Sequence, residues 1–99
     1  MILFPEIQLE FENNIAEIFA FELMEQQYHP REFGSGLLVY KIKGRDVKLI
    51  YDGRDDLLTA YISPKHLHYP HDQWQEIYME RPKKFLQEAV LKIAENTND

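Results

Sequence analysis

Apolar residues recur at helical spacing near the start of the chain. They lie three or four positions apart and, at about 100° per residue, fall within one stripe: Ile7, Phe11, Ile15, Ile18 and Phe19. Pro5 suits the first position of a helix, and Pro30 ends it because the residue before a proline avoids the helical conformation. The pattern therefore predicts one long amphipathic helix from Pro5 to Tyr28.

The same segment carries a second, strand-like pattern. Ile7, Leu9 and Phe11 alternate with polar residues, so residues 6–12 are also compatible with a strand. Asn14 and Glu17 would then form the capping box of a shorter helix. We favour the long helix, and the sequence leaves the alternative open.

Three strand-like segments follow the glycine-rich stretch Gly34-Ser35-Gly36. They span Leu37–Lys43, Val47–Asp52 and Leu57–Ser63, and they are rich in Val, Ile, Leu and Tyr. The connections are short and contain Gly and Asp, which predicts an antiparallel three-stranded meander. Apolar residues alternate along these strands and therefore share one face of the sheet. We expect the helix to cover that face.

The segment Ser63–His71 contains two prolines and three histidines, and it predicts a loop. Asp72 resembles a helix N-cap with Gln75 as its partner, which predicts a short helix through Tyr78.

Pro82 is expected to open the last helix, in which apolar residues repeat at intervals of three and four: Phe85, Leu86, Ala89, Val90 and Ile93. Residues 96–99 are expected to fray. The predicted order is α-β-β-β-α-α, an α+β fold in a single domain over residues 1–99.

The charge is distributed unevenly along the chain. Residues 1–32 hold seven acids and one base, whereas residues 33–99 hold ten of each, so the net charge of -6 at pH 7 belongs to the first third. Because phosphate binding needs clustered Lys and Arg, this excess argues against nucleic acid there and for a partner with a basic surface.

Three acids give the first helix a charged face. Glu6, Glu10 and Glu17 fall within about 40° of one another, away from the apolar stripe. Solvation alone would explain such a face, but no Lys or Arg before Arg31 balances it. We therefore predict that these acids contact a partner, together with three acids at a hairpin tip: Asp52, Asp55 and Asp56.

The candidate metal ligands are His66, His68 and His71, since in an extended loop the first two would point the same way. Their spacing matches no established site, so we expect no metal and no cofactor. Asp46-Val47-Lys48 resembles part of a nuclease core but lacks a second acid upstream, and we interpret it as an exposed strand edge. No catalytic motif is present, and we expect no enzyme.

Basic residues on the predicted hairpins lie among Tyr40, Tyr51 and Tyr61, a mixture that single-stranded nucleic acid can use. Nearby acids dilute it, and lysines also guard sheet edges, so we do not expect nucleic acid to bind. The basic residues are Lys41, Lys43, Arg45, Lys48 and Arg54.

The chain has no cysteine, no N-terminal pattern of a secretion signal and no apolar run approaching about 18 residues. These features predict a cytoplasmic protein without membrane association.

From Ile15 to Ser63 the chain resembles the small bacterial immunity proteins of polymorphic and contact-dependent toxin systems. The resemblance is carried by length, acidity, the lack of cysteine, and a helix followed by Gly36-Leu37-Leu38-Val39-Tyr40 and Lys48-Leu49-Ile50-Tyr51-Asp52. It implies a cytosolic protein that binds a toxin domain, often a basic nuclease, and blocks its active site. The alternatives are a small metal-binding protein or enzyme that uses the histidine loop, and a structural homo-oligomer that closes on a strand edge.

Overall fold

A computed structural model describes residues 3–82 and 86–97. The described residues form two helices and five strands: α1 (Phe4–Ala16), β1 (Glu22–His29), β2 (Ser35–Ile42), β3 (Arg45–Asp52), β4 (Leu57–Ile62), β5 (Gln75–Glu80) and α2 (Gln87–Thr97). The strands build one antiparallel sheet in the order β1-β2-β3-β4-β5. The α+β class is confirmed, but the order α-β-β-β-α-α with a three-stranded meander is wrong.

The first helix is shorter than the periodicity predicted. Pro5 occupies its first turn, and the helix buries one stripe made by Phe4, Ile7, Phe11 and Ile15. Residues 6–12 are therefore helical, and the strand alternative for them is wrong. Asn14 does not open a helix, because its side chain instead donates to the Glu10 carbonyl oxygen within α1.

The helix ends at Ala16, and residues 22–29 form β1. Here the predicted helix to Tyr28 is wrong. Beyond Ile15, apolar residues at Phe19, Phe21 and Leu23 change to a spacing of two, which suits a strand. No Gly or Pro marks this change of spacing, and Ile18 and Phe19 also fit a continuation of the helical pattern. Pro30 therefore follows the end of the strand β1 and not the end of a helix.

The three predicted strands are present as β2, β3 and β4, in the predicted antiparallel order. Leu38, Leu49 and Ala60 are neighbours across the sheet, all on its apolar face. The turn between β2 and β3 places Lys43 and Gly44 at φ 51° and 77°, and two positive φ values match the right-handed twist of a hairpin.

The short helix predicted at Asp72–Tyr78 is also wrong, because residues 75–80 pair with β4 as an edge strand. Four of its six positions are exposed and only Tyr78 is buried, so its alternation is weak. Asp72 precedes the strand in the loop and caps no helix.

The last helix begins at Gln87 and not at Pro82, and the predicted core position Phe85 lies outside the described residues. α2 buries Ala89, Val90 and Ile93 as predicted. Asn96 and Thr97, in the segment expected to fray, form its last turn, where the buried Thr97 hydroxyl donates to the Ile93 carbonyl oxygen at 2.9 Å. Residues 98–99 lie outside the described residues.

Both helices lie on one face of the sheet. α1 covers the side near β1 and β2, and α2 covers β4 and β5. Phe11 packs against the Tyr40 ring at a centroid distance of 5.1 Å, and the Tyr40 hydroxyl donates to Glu12 at 2.8 Å. Burial and this hydrogen bond to a carboxylate raise the pKa of Tyr40 far above its usual range. The opposite face of the sheet, called the open face below, carries no helix among the described residues.

The helices are short. α1 has 13 residues and α2 has 11, whereas crossing a bilayer takes about 20. Neither described helix combines the length and the apolar character that a membrane span requires.

We expect Gly53→Ala to lower the free energy of unfolding by about 2–3 kcal/mol, measured by urea denaturation. A Cβ at Gly53 would collide with the backbone carbonyl oxygen of Phe33, which cannot move without displacing the turn. The control is Gly44→Ala, where nothing lies within 4 Å and only the positive φ of 77° opposes the side chain. It should cost about 1 kcal/mol. Equal losses of unfolding free energy in the two variants would contradict the close contact between Gly53 and the Phe33 carbonyl oxygen.

Candidate functional site

The acids of the first third lie on α1, on β1 and in the turns that follow them, and not on one helix. Glu6 is in the first turn of α1, Glu10 lies one turn further, and Glu17 is the residue that caps the helix end. At about 1.5 Å per residue, Glu6 and Glu17 are roughly 16 Å apart along the helix axis. Glu22 and Glu25 lie on β1, and the other acids of this segment are Glu12 and Glu32.

α1 and β1 form one side of the molecule. The Phe4 ring of α1 stacks on Tyr28 of β1 at 5.5 Å, and Gln26 of β1 donates to Gln8 of α1 at 3.1 Å. Gln26 and Tyr28 of β1 therefore adjoin α1, whereas Glu22 and Glu25 lie toward the open face of the sheet. We call the exposed residues from Leu3 to Phe33 the N-terminal surface.

The N-terminal surface is acidic without internal compensation. In the described part of the chain, Asp46 pairs with Lys41 and His71, and Lys92 lies 3.8 Å from Glu95. No ion pair between described residues involves an acid from residues 6–32. Glu6, Glu17, Glu22 and Glu32 are exposed and face solvent without a cation paired to them among the described residues, whereas the half-buried Glu12 and Glu25 accept the Tyr40 and Tyr69 hydroxyls.

Large apolar side chains are exposed on the same surface. Of the nine large hydrophobic residues that the described chain exposes, seven lie between residues 3 and 33. Phe33 is 68% exposed and Leu9 59% exposed. The others are Leu3, Ile18, Leu23, Met24 and Tyr28. Scattered exposed apolar residues are ordinary, but their concentration in residues 3–33, on α1, β1 and the turns beside them, favours an interaction surface there.

The predicted tip acids have unequal surroundings. Asp52 accepts the backbone N–H of Arg54 at 3.0 Å, and Asp56 accepts the Tyr51 hydroxyl at 2.8 Å. Both therefore hold the turn, and burial together with the Asp56 carboxylate raises the pKa of Tyr51 to about 12. Asp55 is exposed, whereas Asp52 and Asp56 are half-buried.

The tip nevertheless adjoins the N-terminal surface. The Gly53 N–H donates to the Ser35 hydroxyl at 3.0 Å, and the Arg54 guanidinium lies 5.9 Å from the Phe33 ring. The sequence predicts that the tip acids contact the partner together with Glu6, Glu10 and Glu17. The structure places the tip beside Phe33, in the turn after β1.

The three histidines do not form a metal site. His66 and His68 are exposed, whereas the His71 side chain is only 9% exposed and contacts Asp46. Nowhere in residues 3–82 and 86–97 do three His, Asp or Glu side chains meet in an arrangement that could hold a metal ion.

His71 anchors a loop that crosses the open face. From the end of β4, residues 63–74 reach over the sheet to β1 and return to β5. Lys41 donates to the Leu67 carbonyl oxygen at 3.2 Å, and the Tyr69 hydroxyl donates to Glu25 on β1. That hydrogen bond, with burial as a smaller cause, raises the pKa of Tyr69 to about 12. We call residues 63–74 the covering loop.

Beneath the covering loop lies Asp46, a fully buried carboxylate. Lys41 Nζ is 2.6 Å from its Oδ1, an ion pair whose angles are not those of a hydrogen bond. His71 Nε2 lies 2.9 Å from Oδ2, and the Ser63 hydroxyl accepts the Asp46 backbone N–H at 2.9 Å. The sequence interpretation of Asp46 as part of an exposed strand edge is wrong, because β3 is the central strand.

The His71–Asp46 pair resembles the His and Asp of a catalytic triad, but both ring nitrogens of His71 have partners within the fold. The Gln73 backbone N–H donates to His71 Nδ1 at 3.2 Å, so Nε2 carries the proton that it shares with Asp46. A general base needs a free nitrogen facing its substrate. Both nitrogens are engaged within the fold, so the pair fastens the covering loop to the sheet.

Trp74 also holds the covering loop in place through contacts with His71. Its ring stacks on His71 at 4.5 Å, and its Nε1–H donates to the His71 carbonyl oxygen at 3.2 Å. Lys48 places its ammonium 4.3 Å from the Trp74 ring and 4.9 Å from Tyr61. Desolvation there lowers the pKa of Lys48.

The basic and aromatic mixture considered for nucleic acid is not assembled. Tyr40 and Tyr51 belong to the core on the helix face, and only Tyr61 lies with Lys48 on the open face. A cavity of about 470 Å³ opens beside Trp74. Ser63 on its wall already bonds Asp46 and the Pro64 carbonyl oxygen.

Comparison with known proteins found no match among protein-family models, curated proteins or solved structures.

We expect Asp46→Asn to lower the free energy of unfolding by about 2–3 kcal/mol in urea denaturation, because it leaves the Lys41 charge without its partner. Trp74 is the single tryptophan, so its fluorescence reports on the covering loop directly. Its emission should shift to the red without denaturant as the loop loosens. Asp72→Asn, an exposed change on the same loop, is the control and should leave both readings unchanged. An unshifted emission in Asp46→Asn would contradict the fastening role.

Proposed function

We propose that this chain is an acidic binding protein that neutralises a basic protein partner, as a toxin-immunity protein that blocks a toxin domain. The observation that carries the proposal is the coincidence, on the N-terminal surface, of uncompensated acids with most of the exposed large apolar residues. Stable protein interfaces combine apolar anchors, which supply affinity, with a polar rim.

The acids and the apolar residues have different roles in this proposal. Glu6, Glu10 and Glu17 attract a basic partner and raise its association rate, while Asp52, Asp55 and Asp56 extend the negative rim at the neighbouring tip. Apolar residues such as Leu9 and Phe33 are the anchors that slow dissociation. A toxin domain that acts on cytoplasmic targets would be met in the cytoplasm, which is where we propose this protein works.

The acidity of the N-terminal surface also opposes self-association of the free protein. Exposed Leu and Phe side chains on a neutral surface favour self-association, whereas like charges between copies oppose it. An acidic rim therefore keeps the free protein soluble and favours a basic partner over a second copy.

The proposal predicts that a toxin domain is encoded next to this gene, and its absence would count against an immunity role. The first experiment mixes that domain with the protein by stopped flow at increasing salt. We expect the association rate constant to fall at least about tenfold between low and high salt, because steering by exposed charges is screened. Co-expression of the protein should protect cells from this domain. A salt-independent association rate would contradict the proposal.

The triple variant Glu6→Lys, Glu10→Lys and Glu17→Lys changes the net charge from -6 to 0, since each substitution adds two charges. We expect a normal far-ultraviolet circular dichroism spectrum, because Glu6 and Glu17 are exposed and Glu10 is only half-buried on α1. The association rate constant should fall by about tenfold or more.

The matched control is Glu76→Lys, Glu80→Lys and Glu95→Lys, which makes the same change of charge on exposed positions of β5 and α2. It should slow association much less. Equal effects of the two triple variants would mean that net charge alone matters and that the N-terminal surface has no special role.

A further inference from the structure

The outer edge of β1 is an unpaired strand edge. β1 pairs with β2 along one side and with no described strand along the other. It is eight residues long, and all of them except Glu25 are exposed. Its outward backbone N–H and C=O groups are therefore available to another extended segment.

β1 has little of the usual protection against such pairing. Edge strands are commonly guarded by lysine, proline, short length or a bulge. Glu22–His29 contains neither lysine nor proline. Its guards are two acids, Glu22 and Glu25, and the bulge between Leu23 and Glu25, and the acids repel another acidic strand but not a basic one.

The two faces of β1 have different chemistry. The register pairs Glu22 with Lys41, so Glu22, Glu25 and Gln27 lie toward the open face. Leu23 pairs with Tyr40, and with Tyr28 it lies toward α1, where both are more than a third exposed. A strand added at this edge would meet the exposed Glu22 and the half-buried Glu25, which already accepts hydrogen bonds from Tyr69 and Gln27, on one face and apolar side chains on the other.

We propose that β1 receives an extended segment of the basic partner, which joins the sheet as a sixth strand. This inference rests on the proposed function for the basic character of the partner. Its segment would alternate Lys or Arg, facing Glu22 and Glu25, with apolar residues facing Leu23 and Tyr28. Backbone hydrogen bonds would supply affinity, and the alternation would supply specificity.

A second copy of this chain suits the edge less well. Each copy has a net charge of -6, and β1 contributes two acids with no Lys or Arg. Bringing two such strands together would concentrate negative charge, whereas a basic strand would neutralise it.

The test compares two double variants against the neighbouring toxin domain: Glu22→Lys with Glu25→Lys on β1, and Glu6→Lys with Glu10→Lys on α1. Both change the net charge from -6 to -2. We expect the β1 pair to raise the dissociation rate constant by about tenfold or more, because its partner residues are in contact. The α1 pair should mainly lower the association rate constant.

Tyr69→Phe is the control for the β1 pair, because Glu25 also accepts the Tyr69 hydroxyl. It removes that hydrogen bond without changing charge, and the dissociation rate constant should stay within about twofold of the unchanged protein. A larger dissociation effect from the α1 pair than from the β1 pair overturns the edge-strand proposal and leaves the proposed function standing. No effect of either pair on either rate constant overturns both.

A peptide tests the edge without the toxin domain. An eight-residue peptide that alternates lysine and valine should shift the backbone amide resonances of Glu22–His29 in nuclear magnetic resonance spectra. The same peptide with glutamate for lysine should not. Shifts centred on the open face, no shift in β1 at millimolar peptide, or a doubled mass of the free protein by light scattering would each overturn the proposal.

Discussion

The apolar face of the five-stranded sheet must be kept from water, and two helices from opposite ends of the chain meet this constraint together. Its central row runs from Leu38 through Leu49 and Ala60 to Tyr78, and it is buried along its length. α1 covers one half and α2 the other. Since α1 lies over β1 and β2, its acidic outer face and the edge of β1 are brought to one side of the molecule. The proposed binding surface is thus a consequence of how the core is closed.

The open face is secured differently. No helix covers it in the described part of the chain, and residues 63–74 cross it instead. Asp46 holds this loop through His71, and Lys41 balances its charge. A buried carboxylate is costly unless it is paired, so the loop and the sheet depend on each other. In this arrangement both ring nitrogens of His71 are engaged within the fold.

The sequence was informative where burial is strong. β2, β3 and β4 have one fully apolar face, and that alternation is local, so they could be predicted. β1 and β5 are edge strands with few buried residues, and their alternation was too weak to outweigh helical spacing at Ile18 and an apparent cap at Asp72. The acidic excess of residues 1–32 was visible in the sequence. Its division between α1 and β1 was not, because that depended on where the helix ends.

The Asp46 centre and the exposed apolar residues could not be predicted from the sequence, since both depend on contacts between distant segments. Asp46 and His71 are 25 positions apart, and nothing local marks either as buried. The central claim is that the N-terminal surface binds a basic partner. Hydrogen–deuterium exchange of the protein, free and bound to the neighbouring toxin domain, tests it most directly. The account predicts that protection on binding concentrates in residues 3–33. Protection centred on residues 37–61 of the open face and on the covering loop would contradict it.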